Sequence, residues 1–267
     1  DIGPVLAQRI LEYRAQPLRA QQELAQAAQH GCTVRTQVDG GYPQPLRDIY
    51  DPPLALYMKG GWEETDAAAV AIVGSRHASA YGLMMAERLA VELAERGITV
   101  VSGLARGIDA AAHRGALKAG GRTLAVLGCG LARVYPPEHE ELAGQVAARG
   151  ALLSEYAMTM PPLAENFPRR NRLISGLSLG VVVVEATGRS GALITADCAL
   201  EQGRDVFAVP GRADALTSEG THRLLKQGAK LAVSADDILD EFLASFQNGP
   251  PNLDIVHLLA INDGRLL

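Results

Sequence analysis

A chain of 267 residues can bury a substantial core, which fits one large domain or one domain with a small appendage. With 48% apolar and 21% charged residues, no apolar run of about 18 and a formal charge of −5, the composition fits a globular protein. It excludes a visible membrane segment and a broad basic field of the kind that coats duplex DNA.

The chain opens on Asp1 with no charged-then-apolar leader behind it, and it reads as a fragment without its native start. Cys32, Cys129 and Cys198 form an odd set without C-x-x-C spacing, which argues against a disulfide framework or a zinc site and for a reducing compartment, read as the cytoplasm. Residues 1–38 space Val5, Leu6, Ile10, Leu24 and Ala28 among Gln and Arg, which predicts two short helices with a break near Pro17. Residues 1–40 are therefore assigned to a partial helical N-terminal domain. The text "YPQPLRDIYDPPLALYMKGG" has prolines too frequent for a helix interior and predicts irregular chain, then a short extended piece at 54–58.

Apolar, β-branched runs follow at 70–73, 99–101, 123–127, 151–153, 181–184, 206–209 and 230–233. Stretches with helical spacing, such as "YGLMMAERLAVELAERG" and "GALITADCALEQG", separate most of them. This rhythm predicts a doubly wound α/β domain over 41–247, with a mostly parallel sheet covered on both faces. Right-handed crossovers gather the strand ends and helix starts on one edge, where such folds bind ligands. "FLASFQNGPPN" reads as a helix end and a Pro/Gly linker, and "LDIVHLLAINDGRLL" as the start of a truncated second domain, giving a boundary at 248–267.

Four strand-to-helix junctions carry glycine and small polar residues: Gly74, Ser75 and Arg76; Gly103 and Gly107 around Arg106; "VLGCG"; and Gly188, Ser190 and Gly191. Glycines admit an anion close to the backbone, and helix-start amides favour phosphate. None spells G-x-G-x-x-G or a P-loop, so a nicotinamide or ATP role has little support and no cofactor is expected. For any one of these glycines a tight turn is an equal reading; four on one edge point to phosphate.

The stretch "FPRRNRLISG" sets Arg169, Arg170 and Arg172 behind Phe167, with a local charge of plus two from 165 to 172 because only Glu165 opposes them. Guanidinium groups stay charged and offer several donors to phosphate. The chain has twelve aromatic residues (four Phe, seven Tyr, one Trp), and Phe167 beside arginines is a candidate platform for a nucleobase of any identity. The plainer alternative makes Phe167 a loop anchor and the arginines a solvated helix face paired with Glu165 and Glu155. Asp109 and His113, one helical turn apart, and Glu155 and Glu185 at strand ends are the candidate acid–base groups; no Ser-His-Asp order, nucleophile elbow or metal-ligand cluster accompanies them.

In order, "YPQPLRDIYDPPLALYMKG", "AIVGSR", "VSGLARGIDAAAH", "GCGLARVYPPEH", "LLSEYA", "NFPRRNRLISGLS", "SGALITADCALEQGRDVFAVPG" and "GTHRLLKQGA" resemble the DNA-processing protein A family (DprA, also called Smf) over residues 41–233. The resemblance implies an extended Rossmann-like domain that binds single-stranded DNA without sequence preference, protects incoming strands during natural transformation and helps load RecA recombinase, without catalysis. By motif, G-S-R places Gly74, Ser75 and Arg76 in a DNA pocket. F-P-x-R-N-R places Phe167, Arg169, Asn171 and Arg172 beside it, with Arg170 assigned to the variable position. Arg76, Arg106, Arg169 and Arg172 would then hold phosphates. Pro137 stands where many relatives carry a lysine, and "THRLLKQGAKLAV" is the candidate homodimer interface. The rival class is a Rossmann-type nucleotide phosphoribohydrolase, whose P-G-G-x-G-T-x-x-E text is not matched by "ATGRSGALITADC".

Overall fold

The computed structural model describes residues 3–14 and 17–248. Helices α1 (Pro4–Arg14) and α2 (Pro17–Gln29) fall on either side of the predicted break. Glu23 of α2 accepts a hydrogen bond from the Met158 backbone N–H at 2.6 Å, so this helix is tacked to the body of the protein. Strand β1 (Cys32–Thr36) differs from the reading of 1–38 as helical only; its β-branched Thr and Val pair antiparallel with β2 (Ala55–Gly60). A four-residue helix, α3 (Gln44–Arg47), lies between them.

From there the chain alternates. The order is β3 (Ala69–Val73), α4 (Ala80–Glu95), β4 (Thr99–Ser102), α5 (Ile108–Lys118), β5 (Thr123–Val126), α6 (Glu140–Arg149), β6 (Ala151–Ser154), α7 (Asn166–Gly176), β7 (Gly180–Val183), α8 (Gly191–Glu201), β8 (Asp205–Ala208), α9 (Glu219–Lys226), β9 (Lys230–Leu231) and α10 (Ala235–Asn248). Among the described residues the nine strands form one sheet in the order β1-β2-β6-β5-β4-β3-β7-β8-β9, parallel from β6 through β9. The α/β doubly wound expectation stands, with its partial helical N-terminal segment. Strand β9 stops short of the predicted 233 because the Val233 and Ser234 N–H groups donate instead to the Asp237 carboxylate, at 2.8 and 2.9 Å, where α10 begins. Of the expected linker and second domain, everything past Asn248 lies outside the described residues.

Alternation along β3 explains the layers. Ala69, Ala71 and Val73 join a core with α7 and α8, while Val70 and Ile72 join one with α4, α5 and α10. The chain steps outward from β3 through β4, β5 and β6, then returns by α7 to the other side of β3 and continues through β7 and β8. The loops after β3 and β7 therefore part to opposite faces and leave a crevice at the carboxyl edge, the place where open α/β sheets take ligands.

Candidate nucleic-acid interface

A cavity of about 340 Å³ opens at that edge. Its wall combines Arg76 from the loop after β3, Asp109 from α5, Tyr135 from the loop after β5, and Phe167, Arg170 and Asn171 from the first turns of α7. Pro168 sits in the first turn of α7, where a missing N–H removes no helical hydrogen bond. That early start fixes which way Phe167 and Arg170 face. The Arg76 guanidinium carbon lies 5.3 Å from the centre of the half-buried Phe167 ring, and Tyr135 leans on the same ring at 5.6 Å between centroids. The mouth is thus a cation–aromatic cluster whose exposed member is Arg76.

Arg170 forms the floor. It is 4% exposed, and its Nη1 donates to the carbonyls of Gly103, at 2.9 Å, and of Val126 at the end of β5. Asp109, also buried, accepts from the backbone N–H groups of Gly103 and Ala105 at 3.2 and 3.3 Å. The two charges press on Gly103 from both sides: a Cβ there would lie 2.6 Å from the Arg170 nitrogens and 2.7 Å from Asp109 Oδ2. Burial pushes the Arg170 pKa down to about 10, against the pull of Asp109, so the guanidinium stays charged at neutral pH. Burial likewise raises the Asp109 carboxyl, with Arg170 opposing it. Arg170 Nε has no hydrogen-bond partner.

The glycines of the second junction serve this packing rather than an open anion nest. Gly107, at φ +73°, has its Cβ position 2.2 Å from the Ser75 carbonyl, which no side chain tolerates. It draws the loop after β4 onto the loop after β3, where the Ile108 N–H donates to Ser75 O at 3.2 Å. Gly191, by contrast, is exposed with open space around it, and Ser190 caps α8 by accepting from the Ala192 N–H at 3.3 Å.

The three arginines of the first two turns of α7 have three environments. Arg172 was expected to hold phosphate in the same groove as Arg76. It is not in the cavity wall; its guanidinium forks onto Glu155 with both contacts at 2.7 Å and reaches Asp51 at 3.2 Å. Burial works against its charge, yet these partners hold its pKa above the usual arginine value. Arg169 is exposed and also outside the cavity wall. Arg106 is exposed and paired with Glu138 at 2.5 Å, a surface pair that salt screens.

The acid–base candidates are engaged elsewhere. His113 Nδ1 meets the Thr123 hydroxyl at 2.7 Å instead of Asp109, and burial lowers its pKa to about 3. Glu155 holds Arg172, and Glu185 accepts from Ser79. Among the described residues no group of three His, Cys, Asp or Glu is placed to hold a metal ion. Among them, too, no helix is long and apolar enough to cross a membrane.

The family model described as DNA recombination-mediator protein A matches residues 33–243. The chain belongs to the DprA/Smf family. It is 50% identical over 200 residues to protein Smf of Escherichia coli K12, which covers 74% of this chain but 54% of that protein, so the chain spans about half the length of that relative. It is 45% identical over 205 residues to DNA processing protein DprA of Streptococcus pneumoniae R6, covering 77% of this chain and 72% of the relative. The X-ray structure of a Streptococcus pneumoniae DprA superposes with a TM-score of 0.75 at 44% identity, covering 78% of this chain and 74% of that one. The Helicobacter pylori DprA structure, described for its single-stranded DNA binding mode, does so at 0.70 and 30% identity, covering 80% and 97%.

Counted along this chain, the DprA/Smf text F-P-x-R-N-R puts its variable position at Arg169 and its fixed arginine at Arg170, which corrects the assignment of Arg170 to the variable place. Burial agrees: Arg169 is exposed, whereas the buried Arg170 ties two strand ends together. Sequence reasoning missed Tyr135 and the place of Asp109 in the wall. The signal for Tyr135 was available, since it is a rare aromatic in the glycine- and proline-bounded loop "GCGLARVYPPEH".

Proposed function

We propose that this chain binds single-stranded DNA with little regard to sequence, through the cavity mouth formed by Arg76, Phe167 and Tyr135. The observation that carries this reading is the Arg76 guanidinium set 5.3 Å over Phe167 at the opening of a cavity with a cationic floor. An unpaired base can exchange with Arg76 on the ring while the displaced guanidinium takes the adjoining phosphate, and neither contact reads base identity. Arg106, Arg169 and the exposed Gly191 turn extend the cationic rim along the strand. Gly74, Ser75, Gly103 and Gly107 shape the loops that carry Arg76 and Arg106, and Asn171 and Ser190 fix the start of α8; Asn171 Nδ2 donates to Gly191 O at 3.2 Å. Arg170 and Arg172 support this surface from within.

The reading invokes no catalytic step; Asp109, His113 and Glu155 have structural partners, and Glu185 accepts from Ser79. The name DNA recombination-mediator protein and the names of the relatives support a DNA-processing role. In that role the protein, as a cytoplasmic homodimer using the 221–233 segment, would cover strands taken up in transformation and pass them to RecA.

The test is anisotropy of labelled oligonucleotides in increasing salt, with duplex as competitor. Single strands bind in preference to duplex, and Arg76→Ala lowers the slope of log affinity against log salt by about one. Duplex displacing single strand mole for mole, or an Arg76→Ala variant that binds like wild type, overturns the proposal. Release of free base from nucleoside monophosphates would favour the hydrolase class instead.

A further inference from the structure

A second cavity, of about 500 Å³, lies between the start of α4 and the loop that follows β8, and it shares no wall residue with the first. Its buried acid is Glu185, just beyond β7 and 3% exposed. Oε2 accepts from the Ser79 backbone N–H at 2.8 Å and Oε1 from the Ser79 hydroxyl at 2.6 Å. Among the described residues no lysine, arginine or histidine pairs with this carboxylate. Buried carboxylates ordinarily have a counter-ion, because removal from water is costly for each ion. The amide dipoles at the start of α4 offset part of that cost, and each carboxylate oxygen keeps a lone pair for a further donor.

The rest of the wall says what that donor is attached to. Tyr81 presents a ring that is 42% exposed and anchored by its hydroxyl to the Pro210 carbonyl at 2.8 Å; Pro210 and Ala215 continue the apolar surface. Arg212 at the rim is already matched by Asp214 at 2.9 Å. An anion is repelled by Glu185, and a metal ion lacks ligands. A charged nitrogen on a short apolar stem satisfies every part: its N–H groups meet Glu185, its stem lies on Pro210 and Ala215, and its charge meets the Tyr81 ring face.

We propose that this cavity binds a small organic cation, an alkylammonium or guanidinium group on an apolar stem. The site shares no wall residue with the first cavity and is tested without DNA. Agmatine and putrescine are titrated into the protein by calorimetry and by two-dimensional NMR, with 1-butanol as the uncharged stem. Saturable binding of one equivalent of a cation is expected, with shift changes confined to Tyr81, Ala215 and their neighbours and no saturation by the alcohol. Glu185→Gln, which keeps an acceptor for the Ser79 N–H, weakens binding about tenfold or more. Tyr81→Ala removes a partly exposed ring and weakens it several-fold, which decides the matter if Glu185→Gln does not fold. Failure of both cations to saturate, shift changes scattered over the acidic surface, or wild-type affinity in Tyr81→Ala overturns the proposal.

Discussion

The two cavities on the carboxyl edge of the sheet sit on either side of one loop, residues 74–79, and have opposite polarity. The first rests on Arg170 with Arg76 at its lip; the second rests on Glu185 with Tyr81 at its lip. Both floors are set by a buried ionisable group held by hydrogen bonds, Arg170 to strand-end carbonyls and Glu185 to the Ser79 N–H and hydroxyl, and neither could be inferred from a net charge of −5. Local polarity in this protein is decided by which side chain the switch between β3 and β7 carries inward. The balance of surface residues has little part in it.

If Arg170 is the floor of the first cavity, Arg170→Ala is the most damaging change. It leaves Asp109 buried without its nearby cation and two strand-end carbonyls without a donor, at a cost of about 3–5 kcal/mol in chemical denaturation. A variant with unchanged stability would break the contrast between floor and lip. One turn along α5 from Asp109, His113 gives the next effect. Its folded pKa is lowered to about 3, chiefly by burial, while the unfolded chain takes up the proton below about 6.5. The unfolded state therefore binds more protons as pH falls through that window, and stability drops by up to about 1.4 kcal/mol per pH unit. His113→Asn, which keeps a partner for Thr123, flattens that dependence, as melting temperature against pH will report.

Smaller effects sharpen the lip. Phe167→Ala lowers single-strand affinity by about 1–3 kcal/mol with little change in melting temperature. Arg172→Ala does the reverse: it leaves Glu155 and Asp51 unpaired and lowers stability by about 1–3 kcal/mol, with a weaker and indirect effect on DNA. A larger loss of DNA affinity than of stability would return Arg172 to the binding surface. Arg106→Ala is the mildest change, visible as a shallower salt slope in the same anisotropy titrations.

Much of this was legible in the chain. Seven apolar runs separated by helical spacing become β3 through β9, because strands buried on both faces need continuous apolar text. Strand β1 escaped notice since it is half exposed and carries Arg35 beside Val34, although Gly31, at φ +68° just before it, marks the end of the preceding helix. The crevice was expected where it is, but the ranking of its arginines was not. Three guanidinium groups within four residues look alike in one dimension, whereas a helix sends Arg170 inward and leaves Arg169 in water; Arg172 meets Glu155 and Asp51 only because β6 and the approach to β2 end beside it.

Glu185 has a grip on the loop at two points. Its carbonyl accepts from the Ser75 N–H at 2.8 Å and its carboxylate holds Ser79, so one residue pins both ends of the segment bearing Arg76, to which the Ile108 N–H adds a hold on Ser75 O. Loss of the carboxylate would free Ser79 and slacken Arg76 without removing any atom of the proposed DNA surface. A mutational survey scored on retained DNA alone would therefore enrol an acidic residue among the contacts, and only a parallel measure of loop order would separate the fastener from the hand it holds.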